Sequence, residues 1–124
     1  MREILFKGKC IKEGKWVEGT YARCESPYYS SENINHYIVQ PPRRFAAIHL
    51  DTLCQYTGML DRYNNKIYEN DIVKLNGDEI YKVVFKEDDA MFVAEGINIT
   101  VDITLGSMHG SEYEVVGNIY NGFE

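Results

Sequence analysis

The segment that most constrains the fold is residues 55–74, which read QYTGMLDRYNNKIYENDIVK. These twenty residues hold a turn around Gly58, a polar loop at residues 61–66 and the beginning of a further apolar strand. Polar, turn-forming residues between short runs of apolar and β-branched residues are typical of strands joined by tight connections. The segment therefore predicts a β protein in which the chain reverses direction often.

Alternation of apolar and polar residues is the dominant period in the rest of the chain. Residues 97–105 carry an apolar side chain at every second position, which predicts a strand nine residues long. Ile4, Phe6 and Cys10 show a weaker form of the same pattern. Helical spacing is confined to residues 43–53, where we expect at most one short helix.

A hairpin is predicted around Asn76-Gly77. These two residues lie between apolar runs at residues 71–75 and 79–85. Both tolerate the positive φ that a type I′ turn requires, so this is the clearest hairpin signal in the chain.

Other turn signals bound the remaining strands. The charged run at residues 87–89 is interpreted as a solvated loop tip. Pro41-Pro42 cannot donate to a sheet ladder and is expected to end a strand over residues 36–40. Many short strands with frequent turns predict an all-β, mainly antiparallel domain. We expect one cooperative domain over residues 1–124, with an N-terminal β layer to about residue 57 and a strongly bent, barrel-like part from about residue 58.

Charge and hydropathy exclude several classes of function. The chain has 124 residues and a net charge of −6, from 19 acidic and 13 basic side chains, which disfavours non-specific duplex binding. No apolar run is long enough to span a membrane, and the N-terminus lacks the features of a signal peptide. We therefore expect a cytoplasmic protein without a membrane partner. Three widely spaced cysteines, Cys10, Cys24 and Cys54, are expected to be reduced and to pack as small apolar side chains.

The residues that could do chemistry do not form a recognisable constellation. His36, His49 and His109 stand apart, so no metal site and no cofactor are expected. His49 and Asp51 would share a face if they lay on a strand, and Cys54 is the nearest nucleophile, but a packing role for this cysteine is the simpler interpretation. No phosphate-binding glycine motif occurs. We assign no catalytic residue.

Aromatic and basic residues supply the interface candidates. The chain has ten tyrosines, most of them on predicted strands, but Tyr28 and Tyr29 fall in a long polar loop over residues 25–35. Such a loop either folds back and buries these rings or presents them to a partner. The consecutive residues Arg43, Arg44 and Phe45 are the nearest approach to a basic, aromatic patch. The binding candidates are therefore these two tyrosines, the two arginines and the phenylalanine.

The motif at residues 55–74, the opening MREILFKGK and the closing EVVGNIY resemble the YopX-like family of small phage and prophage proteins. The resemblance implies a mostly β protein with an SH3-like barrel in its C-terminal half and a phage or prophage origin, and no established activity, cofactor or catalytic residue. Where the family pattern has glycine before the aspartate, this chain has Asn70. Asparagine tolerates positive φ best among the other residues, so we expect Asn70 to be left-handed and Asp71 to cap the turn. The same reasoning applies to Asn64 or Asn65 in the loop.

Two functions remain open from the sequence. The first is a non-catalytic protein-interaction or self-assembling module, with a homo-oligomer as its simplest form. The second is a nucleic-acid-associated accessory protein that uses aromatic side chains as a stacking platform, although the acidic charge disfavours it. A small hydrolase is a distant third.

Overall fold

The computed structural model describes residues 4–23, 36–42, 44–75, 77–105, 112–120 and 122–123. Regular structure in these ranges is almost entirely β, which confirms the predicted all-β class. A 3-10 helix at Leu50–Thr52 joins the fourth strand to the fifth. The strands are β1 (Phe6–Lys9), β2 (Trp16–Arg23), β3 (His36–Gln40), β4 (Arg44–Ala47), β5 (Cys54–Leu60), β6 (Lys66–Tyr68), β7 (Asp71–Leu75), β8 (Glu79–Lys86), β9 (Met91–Gly96), β10 (Asp102–Thr104), β11 (Tyr113–Asn118) and β12 (Gly122–Phe123).

The chain divides after Gln55 into two compact units. In the first unit, β1 to β4 form an antiparallel sheet in the order β4-β3-β2-β1, and the first two residues of β5 pair with β1. Alternate side chains of these strands meet in one apolar core, as period-two patterning requires. That the two parts unfold as one cooperative domain stays a prediction. The buried core residues of the first unit are Cys10, Val17, Ile38, Ala46 and Ile48.

The second unit contains a six-stranded antiparallel sheet in the order β10-β9-β8-β7-β11-β12. Among the described residues its outermost strands, β10 and β12, do not pair with each other, so the sheet is open and the predicted SH3-like barrel is not confirmed. The remaining residues of β5 pair with β6. The buried core residues of this unit are Ile67, Val73, Leu75, Tyr81, Val83, Ala94, Leu105 and Tyr113.

The predicted nine-residue strand over residues 97–105 is wrong. β9 ends at Gly96, residues 97–101 form a bent connection, and the chain is a strand again only over β10. The backbone N–H of Gly96 donates to the carboxylate of Asp102, 3.1 Å away, which closes the bend. Ile99 packs against the core from within this connection. A loop that turns one apolar side chain inward has the same alternation as a strand, so periodicity alone did not distinguish them.

The expectation of at most one short helix over residues 43–53 is confirmed. Residues 44–47 form β4, and only the three-residue 3-10 helix follows. Ala46 and Ile48 are buried, whereas Phe45 is exposed. This alternation of buried and exposed side chains has the period of a strand.

The predicted hairpin between β7 and β8 is confirmed, with Leu75 paired to Glu79. This register leaves three residues between the strands, one more than a two-residue type I′ turn has. Gly77 has a φ of +84°, and Asn76 lies outside the described residues. The predicted end of β3 before Pro41-Pro42 is confirmed as well.

Candidate functional site

The structure places two of the five predicted binding residues. Tyr28, Tyr29 and Arg43 lie outside the described residues. Arg44 and Phe45 are the first two residues of β4, and both are exposed.

The charge of Arg44 is already balanced. One guanidinium nitrogen of Arg44 lies 3.0 Å from Oε1 of Glu13, in the turn between β1 and β2. Both side chains are about half exposed, so water screens the pair and its contribution to stability is small. The negative charge of Glu13 nevertheless lowers the positive potential at Arg44, which removes part of the support for a nucleic-acid site here.

Phe45 occupies an open sheet edge. β3 pairs with one edge of β4, and no described strand pairs with the other. The Phe45 side chain is 62% exposed, and it shares a face of the sheet with its cross-strand partner Val39. At the end of the strand, the backbone N–H of Ile11 donates to the carbonyl oxygen of Ala47 (2.9 Å). Unpaired backbone groups beside an exposed aromatic ring can accept a further strand.

A second feature of the first unit is a pair of lysines against its tryptophan, and all three side chains are partly buried. The ammonium nitrogens of Lys7 and Lys9 lie 4.8 and 5.8 Å from the centre of the Trp16 ring. The register pairs Lys9 with Trp16 and Lys7 with Glu18, so these side chains share the face opposite the core. Sequence analysis missed this cluster because the three residues come from two strands and meet only through their register.

The nearest approach to a catalytic arrangement is not assembled. Cys54 is 1% exposed, and its thiol donates to the carbonyl oxygen of Thr52, 3.3 Å away. His49 precedes the 3-10 helix and Asp51 lies within it, and both side chains are exposed. The strand on which the two residues would share a face is therefore not formed. A buried thiol that hydrogen bonds to the backbone packs as an apolar side chain, and the free Cys10 is buried too.

Asp61, in the loop between β5 and β6, organises the chain around it. Its carboxylate accepts hydrogen bonds from the backbone N–H groups of Tyr63 (2.8 Å), Asn65 (2.8 Å) and Val115 (3.0 Å) and from the Asn65 amide (3.3 Å). Burial alone would raise the pKa of Asp61, but these hydrogen bonds together hold the pKa below its ordinary value. Asn64 between them has a φ of 65°, as expected for the residue in place of glycine.

The second turn of the motif follows the same logic. Asn70 has a φ of 70°, and Oδ2 of the buried Asp71 accepts the backbone N–H of Tyr68 at 2.8 Å. The rings of Tyr56 and Tyr68 pack with their centres 5.6 Å apart, and both are buried. The left-handed asparagine and the capping aspartate are thus confirmed. In this motif the carboxylates stabilise turns and the tyrosines pack against each other.

An open groove in the second unit escaped sequence analysis. Its volume is about 630 Å³, and it lies at the turn between β8 and β9, beside β10. The charged run at residues 87–89 was interpreted only as a loop tip, although apolar Phe85 and Met91 flank it. The residues that line this acidic groove are Phe85, Lys86, Glu87, Asp88, Asp89, Met91, Val93, Asp102 and Thr104.

A protein-family model described as YopX protein matches residues 5–123. The chain belongs to the YopX family. The match includes both turns of the motif, so the resemblance inferred from residues 55–74 is confirmed. A comparison with curated proteins finds no match.

Neither a metal-ligand cluster nor a membrane-spanning helix occurs in the described parts of this YopX-family chain. No three His, Cys, Asp or Glu side chains come together there in a way that could hold a metal ion. Likewise, no helix within those parts has the length and apolar character needed to cross a bilayer.

Proposed function

We propose that this YopX-family protein is a non-catalytic protein-interaction module of phage or prophage origin, which acts in the bacterial cytoplasm and assembles with itself through β4. The observation that carries the proposal is the exposed ring of Phe45 on the open edge of this strand. Against catalysis stand the buried Cys54, Asp61 and Asp71, whose side chains hydrogen bond to the backbone.

A symmetric pairing of two β4 strands satisfies the open edge. An antiparallel pair of identical strands has a two-fold axis between them, which is the commonest symmetry of homo-oligomers. Each Phe45 ring would then leave water against the partner strand, together with Val39 on the same face. Because β4 has only four residues, the interface is small, and we expect a dimer that dissociates in the micromolar range or above.

The test is the mass of the protein as a function of concentration. Sedimentation or light scattering from about 1 μM to about 1 mM should show a monomer that becomes a dimer. Phe45→Ser should shift the midpoint of the monomer–dimer transition to at least about tenfold higher protein concentration, because the Phe45 ring would supply most of the apolar contact buried in the dimer. Tyr63→Ser is the matched control, since Tyr63 is 64% exposed but lies in a turn. A monomer at every concentration, or equal effects of the two variants, would contradict assembly through β4.

A second candidate function, binding of single-stranded nucleic acid, is favoured by one observation. Lys7, Lys9 and Trp16 present two cations and an aromatic ring on one sheet face. Aromatic rings with adjacent cations are the elements of single-strand binding surfaces. The net charge of −6 opposes it, so binding would show only at low salt.

The single tryptophan makes this candidate easy to test. If the candidate is right, the fluorescence anisotropy of a labelled oligothymidine should rise as protein is added. Binding should quench the Trp16 fluorescence in parallel. The double variant Lys7→Gln, Lys9→Gln should remove the signal, whereas Lys12→Gln, Lys15→Gln in the neighbouring turn changes the net charge equally and should retain it. No quenching at low salt eliminates the candidate.

A further inference from the structure

We infer that two copies of this chain exchange the strands that follow β9. The connection over residues 97–101, called the hinge below, opens, and β10 of one copy then pairs with β9 of the other. This is a second mode of self-association, beyond the proposed assembly through β4. It needs no new contact surface, because each exchanged strand meets the same neighbour that it has within a single copy.

The first support is the amino-acid sequence of the hinge. It reads INITV, and three of its five residues are apolar and β-branched. Such residues favour an extended backbone over a turn. Tight connections between strands usually bend at glycine, proline, asparagine or aspartate, and of these the hinge has only Asn98. The hinge sequence therefore favours the extended conformation that the exchange requires.

The second support is the crowding where the bend begins. The carbonyl oxygens of Ile99 and Val101 lie so close to Gly96 that a Cβ there would be 2.6 Å from the second and closer still to the first. Ile99 packs against the core, but the side chains of Ile97 and Val101 are 47% and 48% exposed. An extended hinge would relieve the crowding and would give up the packing of one apolar side chain.

The bend is held by a few exposed hydrogen bonds. The side chain of Asn98 accepts the backbone N–H of Ile80 at 2.9 Å and donates to the carbonyl oxygen of Asp78 at 2.7 Å. The carboxylate of Asp102 accepts the backbone N–H of Gly96 at 3.1 Å. Water replaces the partner of an exposed hydrogen bond, so the net free energy lost when the hinge opens is small.

The third support is that the exchange recovers the contacts of the strands that move. β10 pairs with β9 through three residues, and β11 pairs with β7 through five. The carboxylate of Asp61 also accepts the backbone N–H of Val115 at 3.0 Å. All these contacts join the chain before the hinge to the chain after it, so in the exchanged dimer they form between copies. The free energy of exchange is therefore set by the hinge and by the entropy of association.

The sheet topology makes the exchange slow. β10 and β11 lie at opposite edges of the three strands β7 to β9, so both ladders must open before the strands can leave. We therefore expect exchange when two chains fold together at high concentration, and slow separation of the dimer afterwards. A dimer through β4 would instead form between folded copies.

The first test is refolding from urea at about 1 mM and at about 1 μM, with both samples then sized at about 1 μM. We expect a dimer that persists for hours in the first sample and a monomer in the second. Gly96→Ala should lower the refolding concentration that gives half dimer by at least about tenfold, because each dimer relieves two crowded bends. Asn98→Val should act in the same direction, since it removes two hydrogen bonds of the bend, and it tests the inference even where Gly96→Ala does not fold.

Gly19→Ala is the matched control for the hinge variants. Its Cβ would also meet a backbone carbonyl oxygen, that of Val39, but Gly19 lies within β2 of the first unit. The variant should lose stability without any gain of dimer, because an opened hinge does not relieve this contact.

Paired cysteines distinguish the exchanged dimer from other dimers. Lys74 of β7 lies opposite Glu114 of β11, so Lys74→Cys with Glu114→Cys can form a disulfide across the ladder. In the exchanged dimer this disulfide joins two chains, and the oxidised protein should run as a dimer on a non-reducing denaturing gel. In a dimer through β4 the same disulfide stays within one chain.

Three results would each overturn the inference. They are a wild type that refolds only to monomer at the high concentration, an equal gain of dimer in Gly19→Ala and Gly96→Ala, and a disulfide confined to single chains. Phe45→Ser should leave the exchanged dimer unchanged. A dimer of folded copies that is sensitive to Phe45→Ser could be found whether or not the exchange occurs, so the two proposals fail separately.

Discussion

The carboxylate of Asp61 accepts the backbone N–H of Val115 at 3.0 Å, across 54 residues of sequence. The adjacent Arg62 N–H donates to the carbonyl oxygen of Tyr113 at 2.9 Å. The loop between β5 and β6 thus supplies β11 with an acceptor and a donor, as a neighbouring strand would. Asp61 belongs to the family motif, and its contacts show that this motif position stabilises the fold of the second unit.

Replacing Asp61 should therefore destabilise the protein strongly. In Asp61→Ala the N–H groups of Tyr63, Asn65 and Val115 lose a charged acceptor, and we expect the free energy of unfolding to fall by about 3 kcal/mol. Urea unfolding followed by circular dichroism measures it. Asp78→Ala, at an exposed turn, should change stability by less than about 0.5 kcal/mol. Similar losses in both variants would show that the hydrogen bonds of Asp61 are unimportant.

Asp61 should also make stability depend on pH in the acid range. Its folded-state pKa lies below the ordinary value of 3.8, so the unfolded chain binds the proton more readily than the folded one. The contribution of the ionised Asp61 carboxylate to the free energy of unfolding is complete at pH values above the unfolded-state pKa. It is lost as the pH falls through the folded-state pKa. Urea unfolding at pH 7 and at successively lower pH should show this loss, and Asp61→Asn should decline less steeply. Parallel declines of wild type and variant would rule out the assignment.

The left-handed conformation of Asn70 predicts an unusual order of substitutions. Asn70→Gly keeps the backbone at ease with a φ of 70° but loses the hydrogen bond from the Asn70 amide to the Tyr120 hydroxyl (3.1 Å). Asn70→Ala loses this bond too, and unlike glycine it keeps a Cβ in the left-handed region, without the polar side chain that lets asparagine tolerate it. We expect the alanine variant to be less stable than the glycine variant by about 1 kcal/mol, measured by thermal and urea unfolding. An alanine variant as stable as the glycine variant would contradict the conformation.

Sequence reasoning succeeded where local chemistry decides the structure. The positive φ of Asn64 and Asn70 and the cap by Asp71 follow from a few neighbouring residues, since only certain side chains tolerate or satisfy such turns. The all-β class follows similarly from short apolar runs between turns. The ladder of β7 and β8 was predictable because one short loop joins the two strands.

The candidate surfaces were not predictable, because they depend on register. The contact of Lys7 and Lys9 with Trp16 requires the pairing of β1 with β2. The acidic groove requires Asp102 to lie beside the turn at residues 87–89. No pattern within either segment carries this information, since two strands with the same alternation can pair in several registers.

The bend that replaced the predicted strand over residues 97–105 depends on Gly96. A Cβ at this position would lie 2.6 Å from the carbonyl oxygen of Val101 and closer still to that of Ile99. We expect Gly96→Ala to cost about 2 kcal/mol or more, because backbone atoms must move to relieve the clash. Gly77→Ala is the comparison, where strain comes from φ while the surrounding space is open. Urea unfolding of both variants measures the loss in the free energy of unfolding. A Gly96→Ala protein of wild-type stability would exclude the tight bend.

Two buried tyrosines of the second core should respond differently to loss of the hydroxyl. The Tyr81 hydroxyl donates to the Glu79 carboxylate at 2.6 Å, and this bond together with burial raises the pKa of Tyr81 to about 12. The buried hydroxyl of Tyr113 has no hydrogen-bond partner among the described residues, and burial raises the pKa of Tyr113 as well. A buried polar group without a partner costs free energy, whereas a bond to a carboxylate stabilises.

Tyr81→Phe should therefore lower the free energy of unfolding by about 2 kcal/mol, and Tyr113→Phe should leave it unchanged or raise it by about 1 kcal/mol. The two substitutions remove the same atom from equally buried rings, so each is the control for the other. Urea unfolding at neutral pH compares them, because both phenols are protonated there. If Tyr113→Phe destabilised as much as Tyr81→Phe, its hydroxyl would have to be bonded in solution, and the core around β11 would hold a buried water.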